Sequence, residues 1–226
     1  MNRIIVYGLI LLAYLILSKS LSPFEFGISY VKDQNELSKL IKGAPVTAIL
    51  TDVHTTGFAI KTYYLKFKIV YGFESYEELV IRSSSAFSEK LSPFLGLSVF
   101  SRTKSGEESM VPLIPGSIFV GDKTYGSWKN QGDKKLWRFF RVYRQIPVYL
   151  GWGDYTPSFE DFNKMEMNRQ QNTPYFGDTK LFGLEGELTQ KSFPDYFARK
   201  NKKTLTWQEF LENYFNENFI NYKEQL

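Results

Sequence analysis

The sequence contains no cysteine and a single histidine among its 226 residues. The absence of cysteine excludes disulfide scaffolds, thiolate zinc sites, thiol catalysis and thioether lipidation. Because His54 is the one imidazole, histidine clusters that bind metals are excluded, and any relay that uses imidazole must use this residue. We therefore expect neither a cofactor nor a metal site.

Low hydrophobicity and a large excess of one charge, the marks of a disordered chain, are also missing. Aromatic residues make up 17% of the sequence, charged residues 23%, and the net charge is only +4. A chain of this length and composition can bury a hydrophobic core without a disulfide or a metal. We expect a globular protein with one domain of ordinary size or two small ones.

One long uncharged run stands at the amino terminus. Arg3 precedes fourteen residues without charge, Ile4 to Leu17, and Lys19 follows them. A spanning helix needs about 20 apolar residues and the core of a signal peptide about 7–15. We interpret residues 1–21 as an uncleaved signal anchor, with a cleaved signal peptide and a buried core helix as alternatives.

The flanking charges predict the orientation of this segment. Arg3 and the free amine lie before the run, so the positive-inside rule places the amino terminus in the cytoplasm. The predicted localisation is a single-pass membrane protein with its C-terminal bulk extracytoplasmic. The alternative is a secreted or periplasmic protein after cleavage.

A connector and a β module follow. Residues 22–42 form the connector, with a short helix whose N-cap is Asp33 and whose capping partner is Glu36. Residues 43–122 predict a small antiparallel β barrel or sandwich, because short β-branched and aromatic runs alternate with turns. The five predicted strands are Val46–Val53, Phe58–Tyr71, Tyr76–Arg82, Leu97–Thr103 and Met110–Val120.

Residues 123–226 predict an aromatic-rich helical region, so the fold class is α+β. Three segments are interpreted as helices: Lys134–Ile146, a helix capped by Ser158, and Thr206–Tyr222. The first segment also fits a strand. We prefer the helix because it separates the basic residues from the apolar ones more cleanly. No clear linker separates this region from the β module, so 43–226 is one domain or two.

Most of the positive charge is concentrated in a short stretch. Residues 123–149 hold seven Lys or Arg and one Asp, a net +6, whereas residues 150–226 carry −3. This local excess predicts either pairing with the acids that follow or contact with an anionic surface. The candidate partners are an acidic protein and anionic lipid, besides the membrane that residues 4–17 contact. Because the chain is predicted to be exported, we expect no nucleic acid partner.

Known catalytic patterns are weak or missing. Asp52 and His54 share a strand face, but no Gly-x-Ser-x-Gly motif accompanies them. Carboxylates near aromatic residues could serve a hydrolase, although acids near helix starts usually act as caps. These carboxylates are Asp154, Glu160, Asp161 and Asp178.

The candidate binding residues combine aromatic rings with charge between residues 137 and 155. Such rings are typical of a sugar platform, a membrane-interface belt or a protein docking patch, and equally of a core. The candidates are Trp137, Arg138, Arg141, Arg144, Trp152, Asp154 and Tyr155. We expect an anchored extracytoplasmic binding or accessory protein without catalytic activity of its own. The alternative is an exported hydrolase that acts on an envelope polymer or lipid through carboxylates.

Overall fold

The computed structural model describes residues 3–21, 27–56, 61–73 and 75–201. The predicted C-terminal helix Thr206–Tyr222 lies outside these residues. The chain divides into two compact units, residues 1–193 and residues 194–226. The helices of the described residues are α1 (Arg3–Leu21), α2 (Gln34–Leu40), α3 (Ser85–Leu91), α4 (Ile146–Tyr149), α5 (Phe159–Gln170), α6 (Glu187–Ser192) and, in the second unit, α7 (Pro194–Asn201).

The fold is α+β, as predicted, and its main feature is a curled half-barrel sheet of six strands. Strand β1 runs parallel to β4, and the other neighbours in the order β1-β4-β3-β2-β5-β6 are antiparallel. Irregular register in β2 between Leu50 and Asp52 increases the local twist of the sheet. The strands are β1 (Tyr30–Val31), β2 (Val46–Thr56), β3 (Thr62–Tyr71), β4 (Ser75–Ser83), β5 (Ser98–Arg102) and β6 (Glu108–Ser109).

Alternation along the middle of β3 gives that part of the sheet an apolar face. Leu65, Phe67 and Ile69 are buried, whereas Lys66 and Lys68 between them are partly exposed. This period of two matches the pleat of a strand and explains why the sequence predicted this element.

The helix predicted in the connector is confirmed. The carboxylate of Asp33 accepts a hydrogen bond from the Glu36 backbone N–H at 2.9 Å, and α2 begins at Gln34. An N-cap of this kind satisfies a backbone donor that the first turn leaves without a partner.

An apolar cluster joins the sheet to the aromatic region that follows it. Its fully buried members include Val70 from β3 and Leu97 before β5, and it continues into Trp137, Trp152 and Met165. Residues on both sides of position 122 therefore contribute to the same core of the first unit.

Two predicted elements are wrong. Met110–Val120 is not a strand, because Pro112 and Pro115 lack the N–H that a strand ladder needs, and turns occupy most of this stretch. Lys134–Ile146 is not one helix. Its first part is strand β8 (Lys134–Phe139), which pairs with β7 (Gly126–Gln131) in a two-stranded sheet.

The turn between β7 and β8 explains the second error. Gln131 pairs with Lys134, so Gly132 and Asp133 form a two-residue hairpin turn, and Gly132 has a φ of +58°. A glycine with positive φ is what such a turn requires, and it fixes the pairing of the two strands.

Among the described residues, no helix is both long enough and apolar enough to cross a bilayer. The structure therefore does not support the membrane segment predicted for residues 1–21.

Candidate functional site

The β7–β8 hairpin places two of the predicted binding residues on opposite faces. Trp137 lies opposite Trp128 and is buried, and the two rings meet edge to face at 67°, with 5.1 Å between centroids. Arg138 is exposed, and its guanidinium donates a hydrogen bond to the Gln131 side chain at 2.6 Å. Trp137 thus contributes to the core, while Arg138 belongs to the surface.

After β8 the chain forms a compact series of turns, which we call the 140–149 segment. A short 3-10 turn (Arg141–Tyr143) leads into α4. Tyr143 packs against Tyr125 at 4.9 Å between ring centroids, and Ile146 is fully buried. These inward contacts fix the segment to the core.

The outward side of the 140–149 segment is both basic and apolar. Arg141 and Arg144 are exposed, as are Phe140, Val142 and Val148. Large apolar side chains at the surface next to cations are typical of a surface that contacts a partner or a membrane.

The arginines of this region have no acidic partner within the described part of the chain. None of its ion pairs involves Arg138, Arg141 or Arg144. The described acids of α5 and its surroundings pair with Lys164 and Arg169 instead. Among the described residues, the positive charge of these three arginines is therefore not neutralised by a carboxylate.

The remaining predicted binding residues are separated from one another. Trp152 is buried, and its Nε1–H donates to the Pro115 carbonyl at 2.9 Å. Asp154 is exposed, whereas Tyr155 is partly buried and packs against Trp152 at 5.7 Å. Of the seven candidates, Asp154 and the three arginines are exposed, and the arginines are the ones that lie between residues 138 and 144 beside the exposed apolar side chains.

A groove of about 370 Å³ lies where the start of β8 meets the start of α5. We call it the acidic groove because four acids line it, together with Tyr155 and two lysines; the charged residues are Asp133, Lys134, Lys135, Glu160, Asp161 and Asp178. Asp161 is only 6% exposed. Its Oδ2 accepts hydrogen bonds from the backbone N–H and the hydroxyl of Ser158, each at 3.0 Å.

One tyrosine hydroxyl links the two aspartates of the acidic groove. Tyr175 lies 3.0 Å from Asp161 Oδ1 and 3.1 Å from Asp178 Oδ1, and its single proton can serve one of them at a time. Burial and the neighbouring Asp161 raise the pKa of Tyr175, which keeps this phenol protonated. The hydrogen bond from Lys164 lowers the pKa of Asp178, which therefore stays ionised.

This chemistry suits a structural role better than hydrolysis. Asp161 completes the N-terminal capping box of α5 with Ser158, and Asp178 has its charge neutralised by Lys164 at 2.6 Å. A glycosidase-type pair needs one carboxyl held protonated beside an ionised one, and the lowered pKa of Asp178 suits only the ionised member.

The sequence missed two members of this cluster. Lys164 could have been found, because it lies four residues after Glu160 and the two side chains form an ion pair on one face of α5. Tyr175 could not, since only folding brings it beside Asp161.

The Asp52–His54 pair forms on one face of β2 but is not a tight relay. His54 Nδ1 lies 3.7 Å from Asp52 Oδ2, which exceeds hydrogen-bond length. The imidazole stacks on Tyr64 with ring centroids 5.0 Å apart.

The described residues contain no group of three or more Asp, Glu or His side chains that could hold a metal ion. No known family, no curated protein and no solved structure matches this chain.

Proposed function

We propose that the chain is a binding or accessory protein attached to a membrane, with its folded body outside the cytoplasm and without catalytic activity of its own. Helix α1 attaches it to the lipid, and the exposed arginines of the 140–149 segment belong to its contact surface.

One observation carries this proposal. Between residues 4 and 15 of α1, large apolar side chains are exposed on every side of the helix, so this part of it has no polar face toward water. Transfer of such surface out of water is favourable by about 25 cal/mol per Å². The exposed side chains are Ile4, Ile5, Tyr7, Leu9, Ile10, Leu11, Leu12, Tyr14 and Leu15.

The length of the apolar run sets the mode of attachment. Fourteen residues, Ile4 to Leu17, span about 21 Å at 1.5 Å per residue. A hydrocarbon core is about 30 Å thick, so the helix needs a locally thinned bilayer. The proposal is thus an anchor of marginal length, and a single charge in its centre should release it.

Fractionation of cells that express the full chain tests the anchor. We expect the wild type to remain in membranes after an alkaline wash and Leu12→Asp to leave them, because an acid at the helix centre costs about 2.5–3.5 kcal/mol. The matched control is Ser105→Asp, which adds the same charge to an exposed turn and should stay with the membranes.

Two results would contradict the anchor. A wild-type chain that fractionates entirely as soluble protein would remove the membrane from the proposal. A mature protein that begins near Leu21 by mass spectrometry would replace the anchor with a cleaved signal.

An exported hydrolase is the second candidate, because Asp161 and Asp178 converge on Tyr175 in the acidic groove. Incubation of the full chain with envelope polysaccharide and with phospholipid vesicles tests it. Release of product that Asp178→Asn abolishes would favour the hydrolase. The control Glu187→Gln removes an acid of a surface ion pair and should leave any such activity unchanged.

A further inference from the structure

Four strongly exposed apolar side chains come from two separate turns of the first unit. Phe73, in the turn between β3 and β4, is 76% exposed. In the 140–149 segment, Val142 is 68% exposed, Val148 65% and Phe140 44%. We call these four residues the apolar tips. Transfer of these side chains out of water would lower the free energy, but the first unit does not bury them.

Packed aromatic residues hold the two turns side by side. Gly72 lies so close to the Tyr125 hydroxyl that a Cβ at position 72 would collide with it. Tyr125 in turn packs against Tyr143, at the centre of the 140–149 segment. The residue next to Phe73 and the residue next to Val142 thus contact the same buried ring.

A second contact joins the same two turns. Tyr76, one residue into β4, packs against Tyr149 at 5.0 Å between ring centroids. Tyr149 directly follows Val148, so this contact brings the third apolar tip toward the β3–β4 turn. Two aromatic contacts therefore place residues 73, 142 and 148 in one neighbourhood.

The charge beside Val142 is positive, whereas near Phe73 the exposed Glu77 accepts a hydrogen bond from the Tyr71 hydroxyl. Arg141 and Arg144 flank Val142, are exposed, and have no carboxylate partner among the described residues. The stretch 123–149 that contains them carries +6. A surface that offers apolar tips among unneutralised arginines matches an anionic lipid interface, where headgroups bind the cations and the acyl boundary accepts the tips.

From this arrangement we infer that the first unit makes a second membrane contact, in which the apolar tips enter the interface of a bilayer and Arg141 and Arg144 bind its anionic headgroups. This inference rests on the proposed function, because α1 is what brings the unit to a membrane. It also assigns the surface of an anionic leaflet as the partner of the arginines.

Because the sequence contains no cysteine, a fluorophore can be attached at one chosen position. The full chain with Val142→Cys carries one thiol, to which an environment-sensitive fluorophore is attached. The labelled chain is reconstituted into vesicles of neutral phosphatidylcholine, with and without anionic phosphatidylglycerol. We expect a blue shift of the emission with anionic vesicles, a much smaller one with neutral vesicles, and a reversal at 1 M salt, where the Debye length is about 3 Å.

Three controls separate insertion from other effects. A label at Thr55→Cys, an exposed site near the C-terminal end of β2, should show no shift of its emission. Arg141→Gln combined with Arg144→Gln should abolish the shift at position 142. The same two positions changed to Lys should retain it, because the positive charge is kept. Circular dichroism checks that each variant folds.

Flotation of the vesicles distinguishes the two ways of failing. If the labelled chain floats but the label at position 142 remains in water, the second contact is wrong while the anchor stands. If the chain does not float, the proposed function fails and the inference falls with it. A shift that the double Gln variant retains would show that the arginines bind no headgroup, and would overturn the inference.

Discussion

The role of Trp152 gives the sharpest prediction about the folded body. Its indole is 2% exposed, packs against Phe139 and Tyr155 at 5.6 and 5.7 Å between centroids, and donates to the Pro115 carbonyl. If Trp152 is a core residue, as this packing indicates, its removal destabilises the protein. If it were a binding platform, its removal would leave stability unchanged.

The expected loss of stability follows from the contacts that each substitution of Trp152 removes. Replacing a buried Trp with Ala costs about 3–5 kcal/mol through lost transfer energy and the cavity that remains. Trp152→Phe keeps much of the ring but leaves the Pro115 carbonyl without this donor, which costs about 1–3 kcal/mol. For a domain of this size, 1 kcal/mol lowers Tm by about 2–4 °C. We therefore expect Trp152→Ala to lower Tm on the order of 10 °C and Trp152→Phe to lower it by about half as much or less.

Thermal melts of the full chain in mild detergent, followed by far-ultraviolet circular dichroism, measure both shifts. Val148→Ala is the control, because this side chain is largely exposed and its truncation should change Tm little. A Trp152→Ala variant that melts together with this control would refute the assignment of Trp152 to the core.

Other predictions concern single interactions. Burial, with smaller contributions from neighbouring groups, raises the pKa of Tyr125 from 10.0 to about 12. The resulting stabilisation is complete below pH 10 and lost as the pH rises toward 12, so Tyr125→Phe should make the alkaline fall in stability shallower in denaturation curves taken across this range. Ser158→Ala should cost about 1 kcal/mol in urea unfolding, because it removes the capping box of α5. Gly96→Ala should lower Tm more than Gly106→Ala: both glycines have positive φ, but only at Gly96 would the new Cβ collide with the Thr189 side chain.

Local patterns predicted two helix starts correctly. The caps formed by Asp33 and Ser158 depend on residues three positions apart, so the sequence contains everything that decides them. The strands β2 to β4 were also predicted, because their β-branched and aromatic runs lie between clear turns.

The errors arose where local patterns fit two structures. The sequence of Lys134–Phe139 fits the period of a helix and that of a strand. It forms a strand because it pairs with β7 across the turn at Gly132. The exposure of Arg141 and Arg144 was compatible with both readings, so these candidates did not depend on the choice.

Contacts between residues far apart in the chain could not be predicted from the sequence. The proximity of Phe73 to the 140–149 segment depends on the packing of Tyr125 and Tyr76, which join residues about 70 positions apart. The convergence of Asp161 and Asp178 on Tyr175 likewise exists only in the folded chain.

The topology of the anchored chain is the most direct test of the central claim. Two single-cysteine variants of the full chain, Leu12→Cys and Ser105→Cys, are exposed to a membrane-impermeant maleimide in intact cells. We predict that Ser105→Cys is labelled at once, and that Leu12→Cys is protected until detergent dissolves the membrane. Labelling of Ser105→Cys only after lysis, or of Leu12→Cys in membranes without detergent, would contradict an extracytoplasmic body attached through α1.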